Sequence, residues 1–256
     1  MNIGGLPWST EAKIVVLASG RSQTVYFCRG SRSGLVNPGS PSKYRRITEP
    51  FLRSAGVNDL SFLNWTRSDQ DHAGSASEVI KHFKVAGISS ESLSSRSPAA
   101  AGKEEEVSSP IGITKETTSR MSLGEEKISL NDEIAWSGTK FIPPLKPVLD
   151  CQLGSFVVLL LNSNRQQIEV LPSRTVDVVV VPSQRQCSSP ELLRKFHPQA
   201  ILYLQGKPAG NQSAGGPAVP IWFLGDKGAV TIALSNKDLE LSGYLGDRLT
   251  LRSRNR

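Results

Sequence analysis

The sequence is poor in cysteine and has no long apolar run, and each shortage excludes a class of protein. Its three cysteines, Cys28, Cys151 and Cys187, are widely spaced and odd in number. That spacing fits neither a disulfide framework nor a CxxC metal clip, so we expect three separate thiols. The longest apolar runs, Phe156–Leu161 and Val178–Val181, are far shorter than the ~20 residues of a transmembrane helix. The chain also opens without the basic and then apolar stretches of a secretory signal.

Composition and motif content narrow the possibilities further. With 256 residues, 38% hydrophobic and 21% charged, the chain has ordinary globular usage, which excludes wholesale disorder and collagenous structure. It contains no Walker, GxGxxG, GxSxG or HExxH pattern. We expect a soluble protein that is cytoplasmic or held at a membrane through a partner. Its 30 Lys and Arg against 23 Asp and Glu give a net charge of +7, which favours anionic partners such as nucleic acid.

Composition also divides the chain into segments. Residues 12–88 and 128–235 carry β-type runs with a helix candidate in each, whereas residues 89–127 are dominated by Ser, Glu, Lys, Gly and Thr. A segment with so few large apolar side chains buries little surface. We therefore predict one domain over residues 1–256. Its two halves span 12–88 and 128–235, with 89–127 as a flexible polar insertion and 236–256 as a basic tail.

Each half contains the same order of elements. In the first half, the strand Leu60–Trp65 is followed by the loop Thr66–Gly74, the helix Ser75–Phe83 and the strand Val85–Ile88. In the second half, the strand Thr175–Val181 is followed by a loop, a helix that starts at Pro190 and stops before Pro198, and the strand Ala200–Leu204. Such an order implies parallel strands joined by a helical crossover. The Val and Leu runs are typical of strands buried on both faces. We therefore predict an α/β fold in which two packed β-sheets are flanked by helices, an αββα four-layer sandwich.

A loop rich in carboxylates follows the strand of the first unit. It runs Thr-Arg-Ser-Asp-Gln-Asp-His-Ala-Gly over Thr66–Gly74, and Asp69, Asp71 and His72 offer the oxygen and nitrogen ligands that Zn²⁺ or Mn²⁺ takes. The loop resembles the T-H-x-D-x-D-H-x-G signature of the metallo-β-lactamase fold family, and it is most similar to the soluble domain of ComEC-type competence proteins. Other stretches are similar to further family segments in the same order: Leu35–Gly39, Pro50–Val57, Val176–Pro182 and Gly228–Ile232.

The sequence departs from the family pattern at its ligand positions. Arg67 stands where the family has its first His, and a guanidinium has no lone pair to offer a metal. Asn37 replaces an Asp, while Ser183 and Gln184 replace a His pair. No Asp precedes Asp59, so the carboxylates that the family carries near Ala18–Thr24 are missing, and no Asp lies between Asp150 and Asp177, where the family has a metal-bridging Asp. No His follows His197.

The resemblance implies a two-sheet fold whose active members attack a phosphodiester with metal-bound hydroxide. Here only Asp69, Asp71 and His72 remain as a residual metal motif, and three side chains from one loop rarely complete the shell of a catalytic ion. We therefore expect no catalytic residue and no tightly bound cofactor, with Zn²⁺ or Mn²⁺ as the ion such a motif would take. We expect Arg67 to pair with Asp69 and Asp71, and Asp71 or His72 to cap the next helix.

Three functions stay open. The first is a non-catalytic module of a DNA-uptake system, as the resemblance implies, which works with a membrane channel and contacts DNA or RNA through basic side chains. Those side chains are Lys43, Arg45, Arg46, Arg252 and Arg254. The second is a metal-dependent hydrolase or nuclease with residual activity at the metal motif. The third is a module that persists for protein contacts alone. The small number of metal ligands favours the first.

Overall fold

Two mixed β-sheets pack face to face with helices on both outer faces, as a computed structural model of the chain shows. The predicted αββα sandwich is confirmed. The residues that the structure describes are 12–18, 23–67, 69–90, 128–129, 134–137, 149–161, 168–169, 171–182, 189–206, 219–235 and 237–254.

The first sheet is assembled from both ends of the chain. Its eight strands are β1 (Lys13–Leu17), β2 (Thr24–Arg29), β3 (Arg32–Val36), β5 (Phe62–Trp65), β7 (Ile88–Ser90), β15 (Ala229–Ser235), β16 (Asp238–Gly243) and β17 (Arg248–Leu251). They lie in the order β17-β16-β15-β1-β2-β3-β5-β7. β3, β5 and β7 are parallel, and the other pairs are antiparallel. The parallel crossover predicted from β5 to the strand after the helix is therefore confirmed. A small parallel pair, β4 (Asp59–Leu60) and β6 (Lys84–Val85), accompanies this sheet.

The second sheet comes from the middle of the chain. Its strands are β8 (Ile128–Ser129), β9 (Ile134–Ser137), β10 (Leu149–Leu153), β11 (Phe156–Leu160), β12 (Val178–Val181), β13 (Ala200–Tyr203) and β14 (Ile221–Phe223), paired in reverse numerical order. The strands from β11 to β14 are parallel. All four residues of β12 are buried, because both faces of this strand are covered, and this explains why its sequence is an unbroken valine run.

The helices are short and lie outside the sheets. They are α1 (Pro41–Lys43), a π-helical turn at Tyr44–Thr48, α2 (Glu49–Ser54), α3 (Gln70–Ala73), α4 (Ala76–His82), α5 (Pro190–Phe196) and α6 (Leu224–Lys227). α5 begins where its sequence predicts, because the Ser189 hydroxyl accepts a hydrogen bond from the Leu192 N–H and Pro190 occupies the first turn. It ends at His197, whose left-handed backbone (φ 44°) stops the helix before Pro198.

Successive side chains of β12 lie on alternate faces of the second sheet and show how the four layers are held together. Val178 and Val180 are buried in the core between the two sheets. Val179 and Val181 are buried on the opposite face, in a cluster with Leu192 of α5. The outer face of the first sheet is covered in the same way, by a cluster that joins its strands to α2 and α4. Helices therefore shield both outer faces of the sandwich.

The C-terminal segment differs from its prediction. Residues 236–256 were expected to form a basic tail, but β16 and β17 occupy most of that range and extend the first sheet. The reason is packing, since Leu239, Leu241 and Leu251 are buried in the core between the sheets. Of the predicted insertion 89–127, only the last two residues of β7 belong to the described chain. No helix in the described ranges is long and apolar enough to cross a membrane.

Candidate functional site

The predicted site lies at one edge of the sandwich, where parallel strands of both sheets end. β3 and β5 end there in the first sheet, and β11, β12 and β13 end there in the second. The side-chain amide of Gln23, just before β2, donates a hydrogen bond to the carbonyl of Leu161, just after β11. This bond places the strand ends of the two sheets side by side. Open α/β sheets hold ligands outside the carboxyl ends of their strands. We call this part of the molecule the carboxyl-end edge.

Asn37, directly after β3, ties two loops of this edge together. Its backbone is left-handed (φ 53°), a conformation that Asn tolerates better than most residues, and its side chain is buried. The Asn37 Oδ1 accepts hydrogen bonds from the Thr66 N–H at 2.8 Å and from the Thr66 hydroxyl at 3.1 Å. The Asn37 N–H donates to the carbonyl of Asn64. This position, which matches an Asp of the resembled family, therefore has a structural role here.

Asp69 is the centre of the loop that follows β5. Its Oδ2 lies 2.8 Å from an Arg67 guanidinium nitrogen. Its Oδ1 accepts the His72 N–H at 3.1 Å, which caps α3, and lies 2.6 Å from the His72 Nδ1. Asp71 is exposed in the first turn of α3. The predicted Arg67–Asp69 pair is thus confirmed. The predicted capping of the next helix by Asp71 or His72 is wrong, because both residues lie within α3 and Ser75 occupies the N-cap position of α4.

The contacts of Asp69 determine the ionisation state of its carboxyl group. Partial burial alone would raise the pKa of the Asp69 carboxyl, but the hydrogen bond from His72 and the nearby Arg67 charge outweigh burial and lower that pKa. Asp69 is therefore ionised at neutral pH and already holds an arginine, an imidazole and a helix N-terminus. Because the His72 Nδ1 is engaged, only its Nε2 is left to bind anything else.

The donor set of this edge does not fit a two-metal centre. Among the described residues, no group of three or more His, Cys, Asp or Glu side chains is placed to hold a metal ion, so Asp69, Asp71 and His72 do not converge on one point. Residues 19–22, 162–167, 183–188 and 207–218 follow the ends of β1, β11, β12 and β13 and lie outside the described residues, Ser183 and Gln184 among them. Their sequences contain no His, Asp or Glu, and Cys187 is their one thiol. A dinuclear site needs more ligands than these.

The predicted nucleic-acid contacts fall into two separate groups. Lys43, Arg45 and Arg46 lie on the helical layer outside the first sheet, where Arg45 pairs with Glu78 at 2.6 Å. Arg252 and Arg254 follow β17 at the opposite edge of the sandwich. There the Arg254 guanidinium donates to the carbonyl of His197, and the Gln199 amide donates to the carbonyl of Arg252. The structure therefore does not bring the five cations onto one surface.

Sequence reasoning missed part of the first basic group. α4 packs against the π-helical turn and α2, since His82 lies 3.1 Å from Glu49 and the Arg53 guanidinium lies over the Phe83 ring. The π-helical turn together with α1, α2 and α4 carries five Lys and Arg against two carboxylates: Lys43, Arg45, Arg46, Arg53 and Lys81, against Glu49 and Glu78. The signal was the basic end of α4, and its meaning depends on the packing of α4 against the π-helical turn and α2.

Comparison with known proteins defines the class of this sandwich. No family model matches the sequence, and no curated protein matches it either. Among solved structures, a diphosphatase of the PhnP family is 13% identical over 87% of this chain and 98% of its own, with a TM-score of 0.51. The metallo-β-lactamase fold protein YhfI from Bacillus subtilis is 10% identical over 82% of this chain and 96% of its own, with a TM-score of 0.50.

These likenesses show the fold of the chain, which is the metallo-β-lactamase fold. The fold that the sequence resemblance implied is therefore confirmed. The link to ComEC-type proteins stays a prediction.

Proposed function

We propose that this chain is a non-catalytic module of the metallo-β-lactamase fold, related to ComEC-type DNA-uptake proteins, that contacts nucleic acid through basic surface. One observation carries the proposal: the side chains of the residual metal motif bind one another. Asp69 holds Arg67 at 2.8 Å and the His72 Nδ1 at 2.6 Å. A metal ion entering this loop would have to displace the guanidinium and then remain close to its charge, at a Coulomb cost.

Ligand chemistry supports the loss of catalysis independently. A catalytic Zn²⁺ takes three protein ligands and keeps an open position for water. Asp69 is committed to its neighbours, and the segments that continue β1, β11, β12 and β13 offer only Cys187. A water on a weakly held ion would be neither acidified nor aimed at a phosphorus atom, because surrounding contacts orient the ligands of working metal sites.

The helical layer outside the first sheet supports nucleic-acid contact. Its five Lys and Arg exceed its two carboxylates, and Arg46 and Lys81 are exposed. Cations spread over a surface bind the phosphate backbone without reading its sequence, and they release counterions as they do so. The affinity for DNA should therefore be weak, independent of sequence and steeply dependent on salt. Genes for a membrane channel or pilus beside this one would support the proposed uptake partner.

Metal content and turnover test the proposal together. The full chain, purified without chelator, should carry well under one equivalent of Zn²⁺ or Mn²⁺ by elemental analysis. It should not hydrolyse bis-p-nitrophenyl phosphate when either metal is added. Two metals per chain, or a phosphodiesterase activity that His72→Ala abolishes, would instead favour the metal-dependent hydrolase. Arg67→His serves as a matched variant, and it should not create activity because the other ligands are still missing.

A further inference from the structure

We propose that this chain forms a homodimer in which the β17 strands of two copies pair antiparallel and join the two first sheets into one continuous sheet. The inference goes beyond the proposed function and does not depend on it, because it uses neither the metal motif nor the basic helical layer. β17 is the outermost strand of the first sheet, and within the described ranges no strand pairs with its outer side. A strand in this position presents a row of N–H and C=O groups to any strand that approaches.

The hydrogen-bond ladder between β16 and β17 shows which backbone groups form that row. The Gly243 N–H donates to the Asp247 carbonyl at 2.8 Å, at the turn end of the ladder. Bonded pairs recur at every second position of an antiparallel ladder, so Leu249 exchanges its hydrogen bonds with β16. The N–H and C=O groups of Arg248 and Thr250, which alternate with these positions, therefore point away from the sheet.

Arg252 continues the same alternation and supports this direction. Its carbonyl accepts a hydrogen bond at 3.2 Å from the side-chain amide of Gln199, a residue outside the first sheet. Gln199 thus closes one end of the outward row. The two positions before it, Arg248 and Thr250, are left for a second strand.

An antiparallel pair of β17 strands centred on Leu249 uses both positions of each copy. Arg248 of one copy then lies opposite Thr250 of the other, and each such pair exchanges two hydrogen bonds. Leu249 meets Leu249 of the second copy at a non-bonded position, where the Cα atoms are about 4.5 Å apart and the side chains are closest. Leu249 is half-buried and packs against the core between the sheets, so the pairing would complete its burial.

The charges beside β17 are self-complementary. Arg248 lies 3.6 Å from Glu240 of β16, and its side chain is 74% exposed. Glu240 is the neighbour of Thr250 across the β16–β17 ladder. In the proposed register, Arg248 of the second copy lies on the same face, with its Cα about 10 Å from that of Glu240, a gap that two extended side chains span. A charge on an outermost strand usually discourages pairing, but here each arginine meets a glutamate of the other copy.

Exposed apolar side chains extend the same surface. Tyr244 and Leu245, in the turn between β16 and β17, are 83% and 71% exposed. Hydrogen bonds hold this turn in place, since the Tyr244 N–H donates to the Ala229 carbonyl and the Gly246 N–H to the Gly243 carbonyl. In the proposed register the turn lies beside the segment that follows β17 of the second copy. The dimer would therefore cover apolar surface that the monomer leaves in water.

Sedimentation velocity of the full chain across a concentration series tests the proposal. Wild type should dimerise reversibly with a Kd of about 1–100 µM, because so small a contact belongs with the weak interfaces. Thr250→Pro removes an outward N–H from each copy, and an outermost strand tolerates proline where the N–H points away from the sheet. This variant should unfold thermally like wild type and raise the Kd by about tenfold or more.

Two charge variants test the register itself. Arg248→Glu leaves glutamates at both positions 240 and 248, and Glu240→Arg leaves arginines at both, so each variant alone should raise the Kd by about tenfold or more. An equal mixture should dimerise within about threefold of wild type, because every glutamate then faces an arginine of the other chain. A role confined to the monomer cannot give this rescue, since the pair within each chain stays repulsive. Lys81→Glu, at an exposed position of α4, is the matched control and should leave the Kd unchanged.

Each outcome decides. A wild type that stays monomeric throughout the series overturns the inference. A dimer with the same Kd in Thr250→Pro as in Lys81→Glu also overturns it, since that dimer uses another surface, and so does a mixture as weak as its two components. If Thr250→Pro loses its cooperative thermal transition, the two charge variants and their mixture decide alone. None of these measurements involves metal or nucleic acid, so the proposed function stands or fails separately.

Discussion

Replacing Asp177 should lower the free energy of unfolding more than replacing an exposed residue does. Asp177 directly precedes β12, and only 1% of its surface is exposed. Its Oδ2 accepts the Val157 N–H at 2.8 Å, and its Oδ1 accepts the Gln199 side-chain amide at 2.9 Å. Its carbonyl accepts the Gln199 and Ala200 N–H groups. One residue thus connects the starts of β11, β12 and β13 on the edge opposite the candidate site.

The size of the effect follows from these contacts. Asp177→Ala removes the side-chain acceptor of the Val157 N–H and one of the two acceptors of the Gln199 amide, which keeps the Arg252 carbonyl. A hydrogen bond to a charged group contributes about 1.5–3 kcal/mol. Water can reach part of the site, because both bonds are only partly buried. We therefore expect a loss of about 3 kcal/mol in the free energy of unfolding, below the sum of two full terms. Asp177→Asn keeps the shape and one acceptor, so it should cost about 1 kcal/mol.

Urea denaturation followed by circular dichroism measures the difference. Asp59→Ala is the matched control, since Asp59 is exposed and its backbone carbonyl, which accepts the Ser33 hydroxyl, is kept in the variant. The control should lie within about 0.5 kcal/mol of wild type. The reasoning fails if Asp177→Ala is as stable as Asp59→Ala, or if Asp177→Asn is the more damaging of the two Asp177 variants.

Three further predictions concern single features of the structure. Because the pKa of Asp69 is lowered on folding, its contribution to stability is present near neutral pH and is lost as pH falls through the lowered pKa. Asp69→Ala should therefore lower the free energy of unfolding by about 1 kcal/mol at pH 7 and flatten the acid limb of a stability–pH curve. An unchanged acid limb would refute this. A Cβ added at Gly34 would lie 2.0 Å from the Phe62 ring, so Gly34→Ala should lower stability by about 1–3 kcal/mol in the same urea titration, and a neutral result would show that the ring can move. Reversing the charges of Arg45 and Arg46 should weaken oligonucleotide binding and reduce the slope of log affinity against log salt by about 2 in fluorescence anisotropy, and an unchanged slope would remove this surface from the nucleic-acid proposal.

Local patterns predicted those elements that are determined by neighbouring residues. The valine run of β12 and the Ser-Pro start of α5 depend on burial and capping within a few positions, and both lie where the sequence indicates. β16 and β17 were missed because their short alternation of Leu with charged residues has meaning only beside β15 and β1. The pairing partner of β15 lies more than 200 residues away in the chain, at β1, and no local pattern encodes it.

The candidate site was predicted in part for the same reason. Arg67 and Asp69 are two residues apart, so their ion pair was visible in the sequence. The role of Asn37 was not, because its hydrogen-bond partner Thr66 is brought near only by the pairing of β3 with β5. Likewise, nothing in the sequence shows that Arg252 and Arg46 lie far apart on the folded molecule.

The position of β1 between β2 and β15 has a consequence for how the protein is made. During synthesis, residues 12–90 leave the ribosome long before β15, so β1 would meet solvent as an unpaired edge strand with apolar side chains on both faces. The N-terminal part therefore cannot reach its final state as an independent unit, although domains generally fold in order of emergence. Nascent chains stalled before residue 229 should remain protease-sensitive and bind chaperones, and release of the last strands should bring protection to the first ones.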